Sequence, residues 1–232
     1  SDGVRIIDMP DFWMGDTDPT STDTTRGTIS IPDGVVSLRF GGVDTTAFFG
    51  TTDSQRLNRN NRAQRARIDR GRPADAGTTI RVDTVTTSGQ PAATATGDPT
   101  QDTVTFSVQG RLNTFQANAI NGNADVPANA FARDAGTIVN AVPVQSDDNS
   151  GTLAGQIGDV RIGGNATNFF ATSTGLISNF YVGGETNHVS LQSPDGTRNI
   201  VFGRGMDVVN IDTHVIQYLS ANRGAINSRV TA

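Results

Sequence analysis

The chain has 232 residues, a net charge of −5 and an isoelectric point near 4.9, which disfavours general binding to nucleic acid. It has no cysteine, which excludes disulfide bonds and thiolate chemistry, and all 18 of its basic residues are arginine. Thr, Gly, Asn and Asp abound while Leu, Glu and Lys are scarce, a composition typical of strands and turns.

Residues 1–26 form an acidic segment that we interpret as mostly loop. Asp11, Asp16 and Asp18 lie close together there, and carboxylate oxygens at such spacing are candidate ligands for calcium, the one cofactor considered. No EF-hand pattern is present, and aspartates in turns are commonly just solvated. The start Ser1-Asp2-Gly3 lacks a methionine, which suggests a processed product or part of a longer polypeptide.

A first coil is predicted over residues 27–50. Leu38-x-Phe40 is followed by Gly41-Gly42 and then by Ala47-x-Phe49. Apolar residues separated by one position point to the same face of a strand. The segment therefore reads as two short strands joined by a glycine corner.

Residues 51–102 interrupt this pattern and are interpreted as an insertion containing an Arg-rich segment and a Thr-rich loop or hairpin, with one strand at Ile80-x-Val82. The net charge of residues 51–72 is +5. Such a segment is a candidate contact for a polyanion, such as an acidic polysaccharide, or for the acidic surface of another copy. The alternative is a solvated excursion that pairs with the chain's own aspartates. The arginines of this candidate contact are Arg56, Arg59, Arg62, Arg65, Arg67, Arg70 and Arg72.

The pattern returns in residues 103–232, which we predict to be the remaining solenoid coils. Phe106-x-Val108 and Phe115-x-Ala117 form one pair of strands, and further strands are expected at Ile138, Val142 and Val144. Four regular blocks then follow at intervals of about 20 residues. Their first apolar pairs are Val160-x-Ile162, Phe180-x-Val182, Ile200-x-Phe202 and Leu219-x-Ala221.

Each block continues with two corner residues and, in the first three blocks, a second apolar pair, whereas in the fourth Val230 alone occupies the last apolar position. Gly163-Gly164 and Gly183-Gly184 occupy the corners of the first two blocks, where we expect glycine to supply positive φ angles. A fixed period of this length predicts coils that bury their apolar faces by stacking. The fold class is therefore predicted to be all-β, a parallel β-solenoid with about 20 residues per coil. An antiparallel sandwich with regularly spaced strands is the alternative.

Candidate catalytic residues are few. His188 and His214 fall in different coils, and neither has the spacing of a metal-binding pair. Asp207 and Asp212 are the best pair of carboxylates for glycoside cleavage, with Arg204, His214 and Asp159 as neighbours in sequence or in an adjacent coil. Because aspartate is also a common turn residue, no catalytic residue is assigned and the protein is expected not to be an enzyme.

The blocks Val160-Arg-Ile162-Gly163-Gly164-Asn165 and Phe180-Tyr-Val182-Gly183-Gly184-Glu185 resemble the β-solenoid repeats of large secreted bacterial surface proteins and adhesin-like proteins. The resemblance covers about half of the chain and concerns the style of the repeat, so it carries no site residues. It implies an extracellular or cell-surface location and a structural or adhesive role.

These observations lead to two functional hypotheses. The first is a non-enzymatic extracellular surface protein that assembles end to end into filaments or a layer, its partners being other copies or the rest of a longer polypeptide. The alternative is a carbohydrate-active solenoid, either a polysaccharide lyase or hydrolase or a tailspike-like glycan binder. No run of apolar residues is long enough to predict a membrane-spanning helix.

Overall fold

The fold is known from a computed structural model that describes residues 6–14, 27–30, 37–44, 47–51, 78–86, 104–122, 136–145 and 152–232. All regular elements in these ranges are β-strands. They are β1 (Ile6–Met14), β2 (Gly27–Ser30), β3 (Ser37–Asp44), β4 (Ala47–Thr51), β5 (Thr78–Thr86), β6 (Val104–Gln109), β7 (Arg111–Asn121), β8 (Thr137–Val142), β9 (Val144–Gln145), β10 (Thr152–Leu153), β11 (Gln156–Ile162), β12 (Ala166–Ser173), β13 (Ile177–Val182), β14 (Thr186–Ser193), β15 (Thr197–Phe202), β16 (Met206–Asp207), β17 (Val209–Thr213), β18 (Ile216–Ala221), β19 (Ala225–Ile226) and β20 (Arg229–Thr231).

Sixteen of these strands form one continuous sheet that is wound into a solenoid. Wall A is the parallel stack β1, β3, β5, β7, β11, β13, β15 and β18, and wall B is the parallel stack β2, β4, β6, β8, β12, β14, β17 and β20. Each coil contributes one strand to each wall, so the described strands make eight rungs. The predicted all-β parallel β-solenoid is confirmed, and the antiparallel sandwich was wrong.

The predicted period is confirmed by the pairing register. Ile157 lies opposite Ile177, and Ile177 lies opposite Thr197, which fixes a coil of 20 residues. Thr197 lies opposite Ile216, so the following coil is one residue shorter. The stack also passes through the segment interpreted as an insertion, because β5 pairs with β3 on one side and with β7 on the other.

The core is a column of apolar side chains enclosed by the walls. Five buried phenylalanines run along it with ring centroids 5.0, 6.0, 6.1 and 5.9 Å apart in turn. They are Phe106, Phe115, Phe169, Phe180 and Phe202. In the register of wall A, Phe180 stacks between Val160 and Ile200, so a large ring lies between smaller branched side chains. This alternation fills the interior without enlarging a coil.

The glycine corner has a different physical reason from the predicted one. Gly163, Gly164, Gly183 and Gly184 have no positive φ angles. Instead, a Cβ atom on Gly183 would clash with the carbonyl oxygen of Gly163 in the coil before it. Glycine is needed here because successive backbones approach closely, and the expectation of left-handed conformations was wrong.

The left-handed conformations occur at the next corner, in residues that are not glycine. This corner joins wall B to a narrow third wall, wall C, which contains Ala166–Thr167, Thr186–Asn187, β16 and β19. Positive φ angles of 52°, 55°, 48° and 48° recur there, once in each of the last four coils. They belong to Asn168, His188, Val208 and Asn227. Asparagine tolerates this region, whereas a β-branched valine is strained in it.

The third corner is held by buried hydroxyl groups. The Ser193 Oγ atom lies 2.7 Å from the Gly175 carbonyl oxygen and accepts a hydrogen bond from the Ile177 N–H group at 3.2 Å. In the next coil, Thr213 stands where Ser193 does, and its hydroxyl oxygen lies 3.5 Å from that of buried Thr197. Thr197 is thus tolerated in an isoleucine position because the facing residue is also a hydroxyl donor and acceptor.

In the described part of the chain no helix is long and apolar enough to cross a membrane.

Candidate functional surfaces

Most of the candidate contacts named from the sequence lie outside the described residues. This applies to the seven arginines between Arg56 and Arg72 and to Asp16 and Asp18. Asp11 lies in β1, where only the course of the backbone is described. Among the described residues no group of three or more His, Cys, Asp or Glu side chains is placed to hold a metal ion. The calcium site and the polyanion contact stay predictions.

The carboxylates considered for glycoside cleavage lie on different walls. Asp207 lines a groove of wall C together with Arg204. Asp212 and His214 line a separate recess at wall B and its corner. Asp159 is on wall A, where it accepts a hydrogen bond from Asn179 at 2.6 Å and pairs with Arg161 at 3.1 Å. The geometry therefore does not gather these groups around one substrate position.

The last rung exposes side chains that are buried in every other described coil of the regular repeat. Leu219 in wall A is 38% exposed, whereas Ile200, one rung away in the same position, is fully buried. Val230 in wall B is 44% exposed, whereas its neighbour Ile211 is fully buried. Ala225 in wall C is exposed, whereas its neighbour Met206 in the preceding coil is buried. All three walls thus end in uncovered apolar side chains.

The same rung has an open strand edge. The Asn222 N–H group donates to the Phe202 carbonyl oxygen at 3.2 Å, towards the preceding coil. Successive residues of a strand direct their N–H groups to opposite sides, so the N–H groups of Leu219 and Ala221 face the open edge. No described strand pairs with that edge. A free edge of this kind is a template for pairing with a further strand.

The first rung occupies the same register as the last. Following the pairings along wall A, Ile7 is in the position of Leu219, and Met9 is in the position of Ala221. Along wall B, Ile29 is in the position of Val230. Apolar residues at one end of the described stack therefore match apolar residues at the other.

A groove of about 500 Å³ runs across the strands of wall A. Its lining comes from four successive rungs and includes Gln116, Arg161, Tyr181 and Val201. Beside it, Asn199 donates a hydrogen bond through Nδ2 to the Asn179 Oδ1 atom at 2.7 Å, and Asn179 donates in turn to Asp159. The amides form a ladder because the 20-residue coil brings identical side chains into register.

A second groove, of about 340 Å³, lies on wall C. The backbone pairing between its strands is less regular, because the Thr186 hydroxyl replaces a backbone group as hydrogen-bond partner in part of the ladder. That hydroxyl accepts from the Asp207 N–H group at 3.1 Å and donates to the Gly205 carbonyl oxygen at 3.0 Å. Arg204 and Glu185 form an ion pair at 3.5 Å beside it, and both side chains are largely exposed. Such an exposed pair contributes little to stability.

His188 is a buried titratable group at the corner of this groove. Within the described part of the chain, neither of its ring nitrogens has a hydrogen-bond partner. Burial lowers the pKa of His188 below 6.5, and the opposing effect of the nearby Asp207 carboxylate is smaller. The imidazole is therefore held in its neutral form near pH 7.

Sequence reasoning missed the asparagine ladder, the groove of wall A and the burial of His188. The 20-residue interval between Asn179 and Asn199 was a usable signal for the ladder. Comparison of the chain with protein-family models, with curated proteins and with solved structures found no match.

Proposed function

We propose that the protein is a non-enzymatic structural and adhesive element of an extracellular surface, and that copies assemble end to end. The observation that carries the proposal is the uncovered last rung. Its apolar side chains continue rows that are buried in the preceding coils, and its strand edge has free N–H groups. A further rung with the same pattern, supplied by a second copy or by the rest of a longer polypeptide, would bury both features.

A second copy is the occupant that the register favours. In head-to-tail stacking, Leu219 would meet Ile7, Val230 would meet Ile29, and the small Ala221 would meet the long Met9. Equivalent register positions of the two copies would then face each other, and walls A and B would continue from one copy into the next. A contact between different ends of identical molecules does not close on itself, so it propagates into a filament.

The extracellular location and the adhesive role rest on the style of the repeat. The Gly-Gly corners and paired apolar positions that resemble the repeats of bacterial surface proteins are the features that build the observed walls. The Arg-rich segment from Arg56 to Arg72 is retained as a candidate contact for acidic polysaccharide or for a neighbouring copy.

The proposal is tested by assembly of two matched variants. Leu219→Asp places a charge in the proposed joint, where it would be buried without a partner. Ser220→Asp places the same charge on the adjoining residue, which the alternation of the strand directs outwards. We expect filaments of the native chain and of Ser220→Asp in negative-stain electron microscopy, and discrete particles of Leu219→Asp. Discrete monomers of the native chain at all concentrations would show that the end is covered in another way.

A further inference from the structure

The groove of wall A combines an aromatic side chain with a row of uncharged polar groups. Tyr181 is 42% exposed although it belongs to a well-packed rung. A Cβ atom on Gly183 would lie 3.0 Å from the Tyr181 hydroxyl oxygen, so the phenol lies against the glycine corner. The side chain is thus laid along the wall, where it offers a fixed aromatic surface to a ligand in the groove.

The amide ladder beside Tyr181 has unused hydrogen-bonding capacity. Asn199 is exposed and uses one N–H of its amide to bond Asn179. Its other N–H and its Oδ1 atom have no partner among the described residues. An amide of this kind both donates to and accepts from hydroxyl groups. Because neighbouring rungs are about 4.8 Å apart, polar groups repeat along the groove at close to the length of one pyranose ring.

The charges of the groove argue for an uncharged ligand. Arg161 is the charged residue in its lining, and this guanidinium is already paired with Asp159 at 3.1 Å. The other lining side chains are amides, Tyr181 and apolar groups. An acidic ligand would meet no unpaired cation here and would approach the Asp159 carboxylate.

The direction of the groove argues against an added peptide strand. The groove crosses four rungs, whose backbone groups are already paired within wall A. A peptide adds to a sheet through the free edge of a strand, and the groove offers side chains in place of such an edge. Recognition must therefore use aromatic stacking and side-chain hydrogen bonds.

From these features we infer that wall A binds a neutral glycan whose chain runs along the solenoid axis, with one sugar ring against Tyr181 and its hydroxyl groups bonded to Asn199. This inference rests on the adhesive part of the proposed function, for which it names the ligand class. It does not depend on assembly, because every residue that lines the groove belongs to the four rungs that precede the last one.

The test is affinity electrophoresis of the purified chain in gels that contain β-glucan, xylan or mannan, followed by calorimetry with oligosaccharides of the polysaccharide that retards it. All proteins carry Leu219→Asp, so a change in assembly is not mistaken for a change in binding. Tyr181→Ala is compared with Tyr218→Ala, which removes a tyrosine of wall A that is 54% exposed, against 42% for Tyr181, and that does not line the groove. Polygalacturonate is the acidic control.

We expect at least one neutral polysaccharide to retard the chain and Tyr181→Ala to weaken binding by about tenfold, while Tyr218→Ala has no effect. Affinity should rise with oligosaccharide length up to about three or four rings, the span of four rungs. The inference is overturned if no neutral polysaccharide retards the chain, if only polygalacturonate does, or if the two tyrosine variants behave alike. Assembly of the native chain in those cases would leave the structural part of the proposed function standing.

Discussion

The interior rungs and the last rung are built from the same sequence pattern but differ in environment. Phe180 and Ile200 have a rung on both sides and are buried, whereas Leu219 continues their row with a rung on one side alone. Part of the burial of a solenoid residue comes from the next coil. An apolar pattern thus predicts a strand correctly but does not indicate which residues cover the apolar face of that strand.

The largest expected effect lies in the interior. Phe180→Ala should lower the free energy of unfolding by about 3–5 kcal/mol, because it removes a ring packed between Phe169 and Phe202. Leu219→Ala, in the same row, should cost less than about 1 kcal/mol in the monomer. Urea unfolding measured at a concentration without assembly compares the two. Equal losses would mean that the last rung is covered as fully as the interior.

A smaller loss of stability is expected when alanine replaces either of two glycines, one needed for close backbone approach and the other for a positive φ angle. Gly183→Ala should destabilise by about 1–3 kcal/mol, because its Cβ would meet the backbone of Gly163, which cannot move independently of its coil. Gly224 in the last coil has open space around it but a φ of +89°, so Gly224→Ala should cost about 1 kcal/mol. Thermal unfolding of both variants distinguishes close approach from backbone strain. The interpretation fails if Gly224→Ala is the more damaging change.

The smallest expected effect is a dependence of stability on pH that arises from His188, at the corner between walls B and C. The pKa of His188 is lowered by burial, so the unfolded chain binds a proton more readily than the folded chain. Stability should be greatest above pH 6.5 and should fall as the pH drops from there towards the folded pKa.

His188→Asn is the matched variant for this prediction, since asparagine occupies the equivalent position with positive φ at Asn168 and Asn227. The native chain should lose more stability than the variant between about pH 7.5 and about pH 5, as measured by urea unfolding at each pH. Exposed His214 is present in both proteins. Identical pH profiles would show that His188 is not the group responsible.

Much of the fold could be predicted because it depends on short-range patterns. The pairs Phe106-x-Val108, Phe180-x-Val182 and Ile200-x-Phe202 fall in strands β6, β13 and β15 as predicted. Their regular spacing indicated parallel stacking because a coil must return to the same position on each turn. The position of the glycine corner was also correct, although its cause was not.

The remaining features could not be predicted because they depend on contacts between coils. The left-handed corner is shared by asparagine, histidine and valine, which have no common chemical property to mark it. Most of β1 was missed because the aspartates of residues 1–26 were interpreted as loop residues, yet Asp8 lies between Ile7 and Met9 within the strand, and its carboxylate lies 3.6 Å from Arg39 on the next rung. Asp207 and Asp212 lie on different walls because the chain turns a corner at Val208. The sequence between the two residues gave no indication of this corner.

The most direct test of the central claim is cross-linking between two populations of the chain, which has no cysteine of its own. One population carries Met9→Cys and the other Ala221→Cys, two positions that head-to-tail stacking places opposite each other at about 4.8 Å between Cα atoms. Mixed under mild oxidation, the two should form a Met9→Cys to Ala221→Cys disulfide in preference to either homodimer. The absence of the mixed disulfide, or its formation no faster than the homodimers, would contradict the account.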